Sequence, residues 1–265
     1  PVFNDKHLSW NWKDAKAMYD RACQLNVPFQ AGSSLPFTWR YPARTIPTGA
    51  KIKTITGVAY GGLESYGFHA LESIQCLMER RQGGETGVRS VEAIPYDKMW
   101  AAEKAGVWSR NAVATALAAT GESADNLEER MHQDNSSIYV IEYTDGSRAV
   151  CCMFNGITAQ MSVAIEFADQ QPLLGQWFKL EEIYPFRHFE KLVRGIDKFF
   201  HTGKVHTPVE RTLLTTGILD RALHSHYANG KKYNTPELAI RYKPGNWPFA
   251  NQSGEKFPTP IKYAS

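Results

Sequence analysis

Apolar positions along the chain recur at two different periods, and the switches between them mark out its elements. Residues 1–4 form a short apolar run. Across residues 12–25, Trp12, Ala15, Met18 or Tyr19, and Ala22 recur at the spacing of one helical face, with Asn11 in the N-cap position. A second apolar run, residues 27–31, ends in Gly32-Ser33-Ser34. Strand, helix and strand within about 30 residues predict one right-handed βαβ unit. Such a unit cannot bury both faces of a sheet by itself, so it reads as the end of a larger parallel sheet.

Residues 35–47 carry Pro36, Pro42 and Pro47 among aromatics and read as a crossing between domains. A strand is predicted over 52–60, running into Gly61-Gly62, and a helix over 67–81 with Phe68, Leu71, Ile74 and Met78 on one side. Residues 86–94 and 99–105 read as further short strands, and Ser109 as the cap of a helix reaching about residue 119. A hairpin is predicted over 138–154, where Asp145-Gly146 separates two β-rich runs, and residues 160–167 continue as a third strand. Two helices follow, over 189–201 and 209–228, closed by Thr202-Gly203 and Asn229-Gly230. Together these predict an α+β fold, with a partial parallel βαβ unit followed by a mostly antiparallel open sheet with flanking helices. The expected division is a terminal βαβ part over 1–35, a substrate and oligomerisation domain over 36–242, and an irregular tail over 243–265.

Composition narrows the function classes. The chain has 265 residues, 43% hydrophobic, with a formal net charge of +3. Its longest basic runs are pairs such as Arg80-Arg81 and Lys231-Lys232, so no basic stripe for nucleic acid is expected. No apolar stretch reaches the roughly 18 residues of a membrane-spanning helix. Cys23, Cys76, Cys151 and Cys152 form no CxxC pair, and adjacent Cys151 and Cys152 would point to opposite faces of a strand. Reduced, mostly buried thiols and a cytoplasmic location are the expectation. Because the chain opens on Pro1 without a methionine, a lost N-terminal targeting signal stays open.

Two constellations carry candidate chemistry. In the first, Gly61-Gly62 ends a strand, and a helix begins that sets His69 in its first turn with Glu72 three residues later. A carboxylate beside an imidazole suits proton transfer near neutral pH, while a half-buried packing histidine is the alternative. In the second, Asn4-Asp5-Lys6-His7 follows the first strand, where ligands of open α/β sheets bind. Lys6 there can donate a charged hydrogen bond, or can simply be solvated. Trp39-Arg40-Tyr41 would border the cleft if the crossing lies between domains, with Arg40 a partner for a carboxylate or a hydroxyl or else a stacked structural arginine. His224 and His226 do not share a helical face, which argues against a metal pair. Trp100 and Trp108 read as core or as sugar-stacking platforms.

These segments resemble the Gfo/Idh/MocA oxidoreductases. Asp5-Lys6-His7 stands where that family has Glu-Lys-Pro, whose Lys reaches cofactor and substrate. Tyr66-Gly67-Phe68-His69-Ala70-Leu71-Glu72 is similar to its Asp-x-Gly-x-His-x-x-Asp helix, whose His contacts the hydroxyl being oxidised. Residues 207–225 resemble the helix that closes the second domain. The resemblance implies NAD- or NADP-dependent oxidation or reduction of a sugar, polyol or related hydroxy compound. Lys6, His69, Glu72 and Glu64 would be catalytic, Arg40, Tyr66 and Trp39 substrate-binding, and Lys6 and Asp5 cofactor-binding. It also implies a homo-oligomer formed through an open sheet face, expected as an apolar outward surface on residues 138–167. Ser65 departs from the pattern at the first acid, leaving Glu64 as its neighbour, and Glu72 replaces the later Asp. No GxGxxG turn for a pyrophosphate occurs, and Gly83-Gly84-Glu85-Thr86-Gly87 follows a helix instead of a strand. An oxidoreductase whose nucleotide-binding part is incomplete in this chain is therefore the leading expectation. A non-catalytic ligand-binding or oligomerisation module and an NAD-dependent glycoside hydrolase are the alternatives.

Overall fold

A computed structural model of the chain describes residues 1–169, 172–182 and 184–258. Strands β1 (Val2–Asp5) and β2 (Phe29–Gly32) pair in parallel, with Val2 opposite Phe29 and Asp5 opposite Gly32. Between them runs α1 (Trp12–Gln24), whose first turn is closed by the Asp14 N–H donating to Asn11 Oδ1 at 2.9 Å. Ala15 on its inner face meets Leu8, Phe29 and Ala31.

After the short β3 (Trp39–Tyr41), the main sheet begins with β4 (Ile52–Ala59) and α2 (Ser65–Met78), then β5 (Val88–Pro95). Three helices follow, α3 (Met99–Lys104), α4 (Arg110–Ala118) and α5 (Leu127–Arg130). The chain returns to the sheet as β6 (Ser137–Tyr143), β7 (Arg148–Met153), β8 (Met161–Phe167) and β9 (Leu174–Lys179). It ends with α6 (Glu190–Thr202), α7 (Val209–Tyr227) and a two-residue β10 (Tyr233–Asn234). The order across the eight-stranded sheet is β10-β5-β6-β7-β4-β8-β9-β3. Only the β4–β7 pair is parallel. The hairpin between β6 and β7 turns at Gly146, with φ +87°, as the Asp-Gly pair predicts. Residues 243–258 contain no helix or strand, yet Phe249 and Ala250 are buried.

Both faces of the sheet are covered. On one, α2 and α7 bring Ile74, Leu77, Leu214 and Ile218 onto Ile55 and Ile141. On the other, Trp108, Val113, Leu117 and Leu127 lie over Val58, Val140, Val150 and Ala164. Cys151 and Cys152 do point to opposite faces, and both are fully buried because both faces are core. Cys76 is buried as well, and Cys23 is exposed on α1. Helix α7 serves two cores, since Val209 and Leu213 pack toward α1 and β2 while Leu214 and Ile218 pack toward the sheet. The Leu8 N–H also donates to Thr216 Oγ1 on α7 at 3.1 Å.

Two expectations are corrected. Of residues 99–105, Met99–Lys104 are helical, because Ala101, Ala102, Glu103 and Lys104 are strong helix formers and the apolar run is too short to fix a period. The outward surface of residues 138–167 is apolar as expected, but α4 and α5 of the same chain occupy it.

Candidate functional site

Strand β4 delivers the chain to Gly61, whose φ of +85° is open to glycine at low cost. A Cβ there would lie 2.5 Å from the Tyr66 ring. Asn155 clasps this turn, accepting from the Gly61 N–H at 2.7 Å and donating to its carbonyl at 3.2 Å. The Tyr139 hydroxyl donates to the Leu63 carbonyl at 2.9 Å just before α2 starts. The first turn of α2 is thereby aimed at the end of β1, where Lys6 adopts a left-handed φ of +70° and its N–H donates to the Gly32 carbonyl at 3.1 Å. A non-glycine residue in that region is strained, and strain of this kind gathers at functional sites.

The two elements enclose a cleft of about 530 Å³ whose walls include Asp5, Lys6, Glu64, Tyr66 and His69. Lys6 Nζ donates to Asp5 Oδ2 at 2.5 Å, both groups being half exposed. His7 Nε2 lies 3.9 Å from Glu64 Oε1 on the same rim. Burial lowers the His69 pKa to about 4, with Lys6 acting in the same direction and Asp5 against it. Its imidazole is therefore neutral at pH 7. His69 Nδ1 is buried with no hydrogen-bond partner among the described residues.

Three expected site residues stand elsewhere. Glu72 is 1% exposed, accepts from Thr215 Oγ1 at 3.0 Å and from the Ser33 N–H at 3.5 Å, and is held protonation-prone by burial. Gly32, with φ +125°, lets this carboxylate approach, since a Cβ would sit 2.9 Å from Glu72 Oε2. Among the described residues no hydrogen bond joins Glu72 to His69. Arg40 is buried between the Phe178 and Phe249 rings, at 5.0 and 4.4 Å, and donates to the Pro36 carbonyl at 2.7 Å. Trp39 is buried against Phe257. Neither Arg40 nor Trp39 lines the cleft.

Other walls come from positions with no local pattern to mark them: Ser33 and Ser34 after β2, Tyr60 after β4, and His188 before α6. A larger crevice of about 810 Å³ lies on the other side of the sheet, beside α4. Its titratable walls are Lys53, Arg148 and Glu166, with no imidazole or thiol, so proton-transfer chemistry concentrates in the smaller cleft. Among the described residues no cluster of three metal-ligating side chains occurs, and no helix is long and apolar enough to cross a membrane.

Solved structures share this fold. GenD2 from gentamicin A biosynthesis, solved in complex with NAD, matches with TM-score 0.59 and 13% identity, over 88% of this chain and 71% of that one. The chain shares its fold. A myo-inositol dehydrogenase from Corynebacterium glutamicum matches with TM-score 0.50 and 8% identity, over 88% of this chain and 73% of that one. An oxidoreductase from Pseudomonas syringae gives TM-score 0.50 and 10% identity, over 88% and 71%. No protein-family model matches the chain, and no curated protein does.

Proposed function

We propose that this chain is the substrate-facing part of a Gfo/Idh/MocA-type oxidoreductase that interconverts a hydroxyl and a carbonyl group on a sugar, polyol or related compound, using NAD or NADP. The observation that carries this is the convergence of Lys6 and His69 on one cleft, at the carboxyl ends of parallel strands, in a fold shared with GenD2, which was solved in complex with NAD. The residues present fit the nicotinamide end of the cofactor, through Lys6 and the turn at Ser33 and Ser34. They do not supply the glycine-rich turn that holds a pyrophosphate.

When bound, the nicotinamide supplies the hydride acceptor or donor. Lys6 Nζ donates a charge-assisted hydrogen bond to the reacting oxygen, and Asp5 fixes the ammonium in place. His69 accepts the hydroxyl proton at Nε2, since its Nδ1 is shut away from the cleft and its ring is neutral. Glu64 and Tyr66 shape the rim beside it. Glu72, at the joint between α2, α7 and β2, acts on His69 by holding α2 in position.

Calorimetric titration of NAD, NADH, NADP and NADPH into the chain tests the cofactor half. The expected chemistry is nucleotide-dependent oxidation of a polyol that falls at least about a hundredfold in Lys6→Ala and in His69→Ala. Turnover undiminished by either substitution would sink this assignment of roles. Absence of binding by all four nucleotides would favour a ligand-binding module, the reading to which the missing glycine-rich turn points.

A further inference from the structure

Between β9 and α6 the chain folds back on itself through a reciprocal clasp. The His188 N–H donates to Glu181 Oε2 at 2.7 Å, and the Glu181 N–H donates to His188 Nδ1 at 3.2 Å. His188 is 6% exposed, its ring 4.2 Å from that of Phe189 between centroids. It lines the same cleft as Lys6 and His69. The second bond of the clasp decides its chemistry. A nitrogen that accepts an N–H must present a lone pair, so in the neutral ring the proton sits on Nε2. Nε2 makes no hydrogen bond with any described residue, and the ring lines both this cleft and an adjoining hollow of about 370 Å³.

We propose that His188 is a second substrate-binding imidazole, a fixed hydrogen-bond donor that grips an acceptor oxygen of a polyhydroxylated substrate through Nε2–H. This rests on reading the cleft as the substrate site. The backbone here does what a carboxylate does for many functional histidines, setting the tautomer, but with opposite polarity: it fixes the ring as a donor. Protonation at Nδ1 would set one N–H against another. Burial acts in the same direction, lowering the His188 pKa to about 4, while the Glu181 carboxylate, 3.7 Å from Nδ1, opposes both. Among the described residues His69 has no partner at Nδ1, so none of them imposes a tautomer on it. The two imidazoles therefore divide the work, His188 donating and His69 accepting. With Lys6 as a second donor, the cleft matches a compound bearing neighbouring oxygens, one a hydroxyl to be deprotonated and another an acceptor to be held.

The test uses the chain labelled with nitrogen-15 histidine, with proton–nitrogen correlation spectra of the rings. The expected result is an Nε2–H tautomer for His188 at pH 7 that persists to pH 5. Its resonance should also move on titration with a panel of myo-inositol, glucose and gluconate at high millimolar concentration. His188→Leu should weaken binding of the best panel member about tenfold or more, while His188→Gln, which keeps an N–H near the Nε2 position, stays within about threefold. An Nδ1–H tautomer, an imidazolium at pH 7, no response to any panel member, or unchanged binding in His188→Leu each overturns the proposal. If His188→Leu does not fold, the wild-type tautomer and titration still decide. Because none of these readouts needs hydride transfer, a chain that binds polyols but reduces no nucleotide would refute the oxidoreductase reading and leave this one standing.

Discussion

Replacing His69 by glutamine removes an imidazole that folding keeps neutral, and the consequence for stability has a definite sign. In the unfolded chain this histidine titrates near 6.5, and in the fold burial lowers it to about 4. Between those values the unfolded state binds the proton and the folded state does not, so stability falls as pH drops through that window. The gap is worth about 3 kcal/mol at roughly 1.4 kcal/mol per pH unit, and about 2 kcal/mol of it is already lost at pH 5. Urea unfolding of wild type and His69→Gln at pH 7 and at pH 5 isolates this contribution. His188, His206 and His226, whose pKa values burial also lowers, are present in both proteins and cancel. The wild type should lose about 2 kcal/mol more than the variant between the two pH values. Equal losses would mean that His69 is solvated or paired, and the argument for a neutral proton acceptor in the cleft would fail with it.

Arg211→Met should destabilise the fold by about 3–5 kcal/mol in urea unfolding, because the Glu79 carboxyl group, 1% exposed, would lose its guanidinium partner. Adding Glu79→Gln should recover most of that loss, leaving Tyr242 to donate to a neutral amide. Gly61→Ala should cost about 1–3 kcal/mol and displace the Tyr66 ring, read as a lower melting temperature and altered near-ultraviolet circular dichroism.

Much of the architecture was legible because its long elements keep one period. The face of α1, the strand before Gly61 and the two C-terminal helices are all read from spacing alone. The edge strands were not. Trp39–Tyr41 is three residues among prolines, and it is a strand because Phe178 and its neighbours on β9 offer partners across 136 or more positions of sequence. That Lys6 and His69 meet in one cleft was legible because each follows the end of a strand, where side chains of separate elements meet. Glu72 misled because α2 is buried nearly all round, so a residue three positions from His69 reaches α7 and β2. Arg40 misled because its crossing segment is itself a sheet edge, stacked between two phenylalanines. His188 carries no local signal, since its orientation depends on hydrogen bonds with Glu181 that only the assembled chain creates.

Helix α7 has a bearing on how a ligand would enter. One end of it belongs to the small core under β1 and β2, and the middle belongs to the main sheet. Thr216 holds Leu8, and Thr215 holds Glu72, which in turn reaches Ser33. The two lips of the cleft are thus both tied to a single helix. Swinging one lip outward would tear apolar packing and three buried hydrogen bonds together. Selection would then depend on what fits a gap of preset width, with adjustment left to the exposed side chains of Lys6, Glu64 and Tyr66 at its mouth.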